Sequence, residues 1–152
     1  KEITKSKIMK NITTVNNFYK KVLNKKPKIA VCGLNPHCES DKKNNEEKKI
    51  IIPAIKGALK KKIRVFGPYA ADTLFIKKNV NKFDVVLGMY HDQVLTPIKT
   101  LYQFDAINIT LGLPFIRVSP DHGTNNQMLG KNKSDPTSLK KSLIFLDQNS
   151  AS

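Results

Sequence analysis

The sequence predicts an α/β protein of three layers, α/β/α, with strands and helices alternating along the chain. Three observations predict it. Short apolar runs at 28–34, 64–68 and 83–90 sit among Gly and Pro and read as strands, two of them strongly buried. The segments between them carry apolar residues every three or four positions, as amphipathic helices do. The two kinds alternate along 152 residues, a length that suits one domain or a piece of a larger one.

In residues 3–24, Ile8, Ile12, Val15, Phe18, Val22 and Leu23 step by three and four along a helix, and Pro27 follows its end. KIAVCGL (28–34) is a buried strand closed by Gly33 and broken by Asn35-Pro36. Residues 38–49 are polar and read as a loop leading into a helix, which IIIPAIKGAL (50–59) continues with Pro53 in its early turns. RVFGP (64–68) is a short strand and AADTLFI (70–76) a turn of helix. FDVVLGMY (83–90) is the second strong strand. HDQVLTPIKTLY (91–102) reads as a helix containing Pro97. AINITLG (106–112) alternates and is β-branched, so it is a strand, and PFIRVSP (114–120) is a further extended piece. LKKSLIFL, within 136–147, has helical spacing. The expected organisation is one α/β domain over 1–126, its N-terminal part missing, followed by a C-terminal segment over 127–152.

Composition narrows the function classes. Lys and Arg number 27 against 12 Asp and Glu, a formal charge of +15. Such an excess raises the prior for nucleic acid, but 25 of the bases are scattered Lys and only Arg64 and Arg117 are Arg. Nucleic-acid readers favour the Arg fork, so a solvated basic surface is the expectation. No apolar run nears the roughly 20 residues of a bilayer span. The opening KEITKSKIMK has no apolar leader and no initiator Met; we expect a cytoplasmic protein whose chain begins within a longer one. Cys32, in an apolar run, reads as a small buried hydrophobe. Cys38, beside His37, reads as a spectator, with metal ligand or nucleophile as the alternatives.

The three histidines, His37, His91 and His122, each follow an apolar strand or extended segment. Ligands of open α/β sheets bind outside the carboxyl ends of strands. His37 and His91 are therefore expected to hold a divalent metal, for which neutral imidazole is suited. Two imidazoles leave the ligand set open. Asp92, next to His91, fits helix capping or orientation of a ligand better than direct ligation. Asp72 fits either an N-cap or a polar contact to a metal-bound substrate. Lys99, Asn108 and Arg117 are spaced by nine and nine. Asn108 lies inside an apolar strand, where an amide needs a partner. Arg117 is an Arg kept in a Lys-biased chain, which suits a phosphate or carboxylate; a salt bridge to Asp121 is the bland alternative.

GLNPH (33–37), GPYAADTLF (67–75), MYHDQ (89–93), NITLGLPFIRVS (108–119) and DHGT (121–124) occur in this order. Together they resemble the 4-hydroxythreonine-4-phosphate dehydrogenase family of pyridoxal phosphate biosynthesis. The resemblance runs from about Lys28 to Leu146, and it implies that this chain is the C-terminal half of such an enzyme. It implies a fold similar to the isocitrate and isopropylmalate dehydrogenases, and a homodimer with a shared active site. It implies oxidation of 4-hydroxythreonine 4-phosphate with NAD or NADP, then loss of carbon dioxide to give 3-amino-2-oxopropyl phosphate. It makes His37 and His91 two of three metal ligands, for Zn, Mg or Co, and Lys99, Asn108 and Arg117 substrate contacts. Lys99 and Asp72 become the candidate catalytic residues, and His122, Gly123, Thr124 and Asn125 the candidate cofactor contacts. Membrane and nucleic-acid partners are not expected.

Two stretches depart from the family pattern. After NPH stands Cys38-Glu39-Ser40 in place of a Gly-containing segment. After DHGT, Gln127 stands where the family and its relatives commonly carry an acid, which leaves the NAD or NADP preference open. The rival readings are a related phosphorylated hydroxy-acid dehydrogenase and a non-catalytic module that binds metal or phosphate.

Overall fold

The computed structural model describes residues 3–38, 45–123 and 126–149, with Gln127 described by its backbone alone. The chain falls into two compact units, Lys1–Leu95 and Thr96–Ser152. The division lies within a helix and not at the expected residue 126.

The first unit is built around a strand that is apolar on both sides. β1 (Ile29–Cys32) is fully buried. It pairs in parallel with β2 (Val65–Tyr69) and β3 (Val85–Leu87), giving the order β2-β1-β3. Alternation along β1 divides the core. Ile29 and Val31 join Ile8 and Ile12 of α1 (Lys5–Lys21) and Ala54, Ile55 and Ala58 of α2 (Ile52–Lys60). Ala30 and Cys32 face the other way, toward Leu74 of α3 (Ala71–Leu74), with Ala71, Phe83 and Val86 beside it. Helices thus cover both faces, and the three-layer expectation holds in this unit.

Local chemistry fixes the ends. Thr4 caps α1 by accepting the Lys7 amide at 3.2 Å. A π-helical turn, Glu47–Ile51, leads into α2, where Pro53 sits in the first turn. Gly67 adopts φ +126°, and a Cβ there would lie 2.5 Å from the Val31 carbonyl oxygen, so only glycine lets β2 approach β1. The strand at 83–90 is shorter than expected, because Gly88 to Tyr90 leave the sheet as the turn before α5 (His91–Tyr102). A further short helix, α4 (Lys77–Val80), was not anticipated in its polar KKNV segment.

The second unit contains the end of α5, a hairpin and a helix. β4 (Ile107–Thr110) pairs antiparallel with β5 (Arg117–Pro120). The link at 111–116 is too short for the crossover a parallel pair needs. PFIRVSP, read as a further extended piece, is thus the return strand of a hairpin. A 3₁₀ turn, Asn126–Met128, precedes α6 (Thr137–Asn149), which packs on both strands. Asp135 accepts the Thr137 amide at 2.8 Å, and the Thr137 hydroxyl first and that amide second hold its carboxyl below the usual range. No helix among the described residues is long and apolar enough to cross a membrane.

Candidate functional site

Because β1, β2 and β3 are parallel, their carboxyl ends open on one edge of the sheet. His37 follows β1, Asp72 follows β2 and His91 follows β3. Three of the expected site residues therefore share the edge where such sheets bind ligands. His122 does not: it follows β5, on the separate hairpin of the second unit. Sequence alone could not reveal this, because an extended segment looks alike in either sheet.

The loop carrying His37 is closely held. The Asn35 side chain accepts the His37 amide at 2.9 Å, an Asx-turn, and the Asn35 carbonyl accepts the Cys38 amide at 3.1 Å. The Gly33 amide donates to the Tyr69 carbonyl of β2 at 2.9 Å. His91 is exposed, and its Nδ1 lies 2.7 Å from Asp92 Oδ1. A carboxylate at this place holds the ring from one side and leaves Nε2 open. Two imidazoles on one sheet edge fit part of the ligand set of a divalent ion. Among the described residues no group of three or more His, Cys, Asp or Glu completes it.

Asp72 is exposed in the first turn of α3 and accepts the Thr73 amide at 2.6 Å; the N-cap position itself belongs to Ala70. Cys32 and Cys38 form no disulfide. Burial, and then the nearby Cys38, push the Cys32 thiol up to about 11, so it is the inert buried group the sequence suggests.

In the second unit, pairing puts Asn108 opposite Ser119 and Thr110 opposite Arg117. These four share one face of the hairpin, since cross-strand partners and alternate residues point the same way. The opposite face carries Ile107, Ile109, Val118 and Pro120. Asn108 is exposed, which corrects the expectation of an amide enclosed in an apolar strand: a two-stranded sheet covered on one side leaves its other side to water. Arg117 Nη1 donates to Thr110 Oγ1 at 2.8 Å, and no salt bridge joins it to Asp121. The Asn108 amide and the Ser119 hydroxyl take no side-chain partner among the described residues.

Lys99 is what Asp121 pairs with instead, at 2.9 Å from its carboxylate and with a further bond to its carbonyl. Both line a cavity of about 1120 Å³ together with Phe104, His122, Gly123 and Leu129. It is on the scale of a small-molecule or cofactor site. His122 Nδ1 lies 3.3 Å from the Gly123 carbonyl. Thr124 and Asn125, the other expected cofactor contacts, lie outside the described residues, as does the Gln127 side chain. Sequence reasoning missed Glu47 and Gln93, which are buried beside the His37 and His91 loops. Their only sequence signal was position: Glu47 stands just before the apolar run 50–52, and Gln93 closes MYHDQ.

The family model described as pyridoxal phosphate biosynthetic protein PdxA matches residues 1–145. A 4-hydroxythreonine-4-phosphate dehydrogenase of Sulfurihydrogenibium sp. is 48% identical over 140 residues, covering 90% of this chain and 42% of its own. A chain of Oceanobacillus iheyensis, provisionally named a D-threonate 4-phosphate dehydrogenase, is 49% identical over 121 residues, covering 78% and 36%. The crystal structure of the 4-hydroxythreonine-4-phosphate dehydrogenase of Klebsiella pneumoniae superimposes with a TM-score of 0.78 at 36% identity, over 93% of this chain and 43% of that one. The chain thus spans under half the length of these relatives. These shares give extent and not position, so the expected placement in the C-terminal half is not borne out by them.

Proposed function

From the premise that the chain belongs to the family of pyridoxal phosphate biosynthetic protein PdxA, we propose that it carries the metal- and phosphate-binding surfaces of a 4-hydroxythreonine-4-phosphate dehydrogenase. The reaction oxidises the C3 hydroxyl of 4-hydroxythreonine 4-phosphate. The C3 hydrogen leaves with its electron pair and the hydroxyl proton leaves to a base. The C1–C2 bond of the resulting β-keto acid then breaks, releasing carbon dioxide and leaving 3-amino-2-oxopropyl phosphate.

The observation that carries this reading is the polar face of the hairpin. Arg117 presents a planar fork already oriented by Thr110, with Asn108 and Ser119 beside it. Such a fork matches a phosphate or carboxylate oxygen pair. Lys99, held by Asp121, adds a cation, and Lys99 and Asp72 are the candidate catalytic residues. His37 and His91 would hold the divalent ion. When bound, that ion acidifies the hydroxyl and polarises the ketone. NAD or NADP supplies the two-electron acceptor, and the cavity walled by Phe104, Leu129, His122 and Gly123 suits it. The protein's share is orientation and charge. The reading includes a cytoplasmic homodimer with a shared active site, which would supply the ligands missing here.

The Oceanobacillus iheyensis relative favours one alternative, since its named substrate differs from 4-hydroxythreonine 4-phosphate at C2, hydroxyl in place of amine. The phosphate end, which Arg117 reads, is common to both.

Titration of the chain with the two phosphorylated compounds tests this. Binding of 4-hydroxythreonine 4-phosphate is expected, weakened about tenfold or more by Arg117→Lys, which keeps the charge and loses the fork. The chain alone, given NAD or NADP and divalent metal, is expected to show no turnover. Preference for D-threonate 4-phosphate would favour the alternative substrate. Indifference to Arg117→Lys would remove the phosphate site.

A further inference from the structure

The turns after β1 and β3, which lead to His37 and His91, are each bonded to a buried polar side chain. Glu47, only 2% exposed, accepts the amides of Leu34 at 2.8 Å and Asn35 at 2.7 Å, both on Oε1. Its Oε2 is buried and has no hydrogen-bond partner among the described residues. Gln93, 7% exposed, donates from Nε2 to the Gly33 carbonyl at 2.7 Å and accepts the Met89 amide on Oε1 at 2.7 Å. Gln93 therefore ties the turn after β1 to the turn after β3. Glu47 reaches the same turn from the entry to α2. The chain of bonds continues to the ligand itself, because Asn35, held by Glu47 at its amide, receives the His37 amide on its side chain.

We propose that Glu47 and Gln93 are positioning residues of the candidate metal site, fixing the loop of His37 and its placement relative to the loop of His91. The inference rests on the reading of these two histidines as ligands. Burying a carboxylate is costly unless it is well bonded, and a loop that only had to cover the sheet edge could do so with apolar side chains. Instead, four backbone groups of two ligand-bearing loops are met by two buried side chains. The space is tight as well: a Cβ on Gly33 would lie 3.4 Å from Glu47 Oε1 and 2.4 Å from Cys38 Sγ, so the turn passes directly over the carboxylate. Supports of this kind around metal ligands change affinity by about 10–100-fold when removed.

The experiment pairs cobalt(II) titration of the chain, read by its visible absorption, with amide hydrogen exchange. His37→Ala and His91→Ala are expected to abolish the cobalt signal. Glu47→Leu should speed exchange at Leu34 and Asn35 and weaken cobalt binding about tenfold or more. Glu47→Gln keeps an acceptor at Oε1 and should retain both within about threefold. Gln93→Leu should free the Met89 amide and weaken cobalt binding likewise, and it decides the matter if Glu47→Leu does not fold. Faster exchange with cobalt affinity unchanged within twofold would overturn the positioning role and leave the histidine reading standing. Cobalt binding indifferent to both histidine substitutions would overturn the histidine reading, and the inference with it.

Discussion

The two units of this chain are held together by different forces. In the first, Ile12, Ile29, Val31 and Ile51 are fully buried, and the sheet is apolar on both sides. In the second, the buried side chains among the described residues are two hydroxyls, Ser138 and Ser142. Many of its large apolar residues are exposed, among them Leu101, Phe104, Leu113, Phe115, Leu139 and Leu143. α6 shows the inversion on one helix. Ser138 and Ser142, four apart, face the hairpin, while Leu139 and Leu143, also four apart, face away. Ser138 Oγ accepts the Asp121 amide at 2.8 Å and donates to the Ala106 carbonyl at 2.5 Å, so it joins the ends of both strands to the helix. Apolar burial specifies the first unit, and hydroxyl-to-backbone bonds specify the second. The unit with the bonded, uncored architecture is also the one that displays Arg117 and Asn108 on an open face.

The largest effect is expected in the first unit. Ile29→Ala empties space at the centre of β1, packed by α1 and α2, and should cost about 2–5 kcal/mol. Urea unfolding followed by far-UV circular dichroism measures it. A cost under about 1 kcal/mol would mean the site collapses around the gap and that burial is not what distinguishes this unit.

That contrast also governs how much could be read from the sequence. β1 and its covering helices were legible because IAVC is apolar at every position, and because Ile8, Ile12, Ile55 and Ala58 keep helical steps. The hairpin was not. INIT and RVSP carry the same β signal as the parallel strands, and only the short link, with Gly112 at φ +89°, distinguishes an antiparallel return. α6 stands where helical spacing predicted a helix, although it buries its serine stripe and leaves the apolar one exposed. At the site, His37, His91 and Asp92 stand where strand ends predicted them. Glu47 was hidden in a polar stretch where adjacent Glu46 is exposed, since composition cannot tell a carboxylate under a loop from one in water. Asn108 was read as enclosed because an apolar strand suggests burial on both faces, and the hairpin buries one.

A smaller effect is expected where the second unit is bonded. Ser138→Ala removes a donor and an acceptor at once, leaving the Asp121 amide and the Ala106 carbonyl without that partner. The expected cost is about 1–2 kcal/mol, within the range for groups left unsatisfied. Amide exchange should quicken at Asp121 and along β5, with the amides of β1 unchanged. If Ser138→Ala were neutral while Ser138→Val was also tolerated, the hydroxyl would not be what holds α6 to the hairpin.

The smallest effect on stability should come from the most conspicuous apolar residues. Leu143 is 58% exposed in the middle of α6. A side chain that stays wet in the folded state loses little when it becomes polar, so Leu143→Ser should leave the unfolding free energy within about 0.5 kcal/mol. The same substitution in a covered position would cost several times more. What Leu143→Ser should change is association. Leu139, Leu143 and Ile144 make an exposed apolar stripe, and such stripes drive self-association even in a chain with a charge of +15. Sedimentation velocity of the chain before and after substitution reads this directly, with less self-association expected of Leu143→Ser. A stability loss above about 1 kcal/mol in dilute chain would show that Leu143 is covered within its own unit, since loss on that scale needs a buried group. The division between a cored unit and a bonded one would then fail at the helix where it is sharpest.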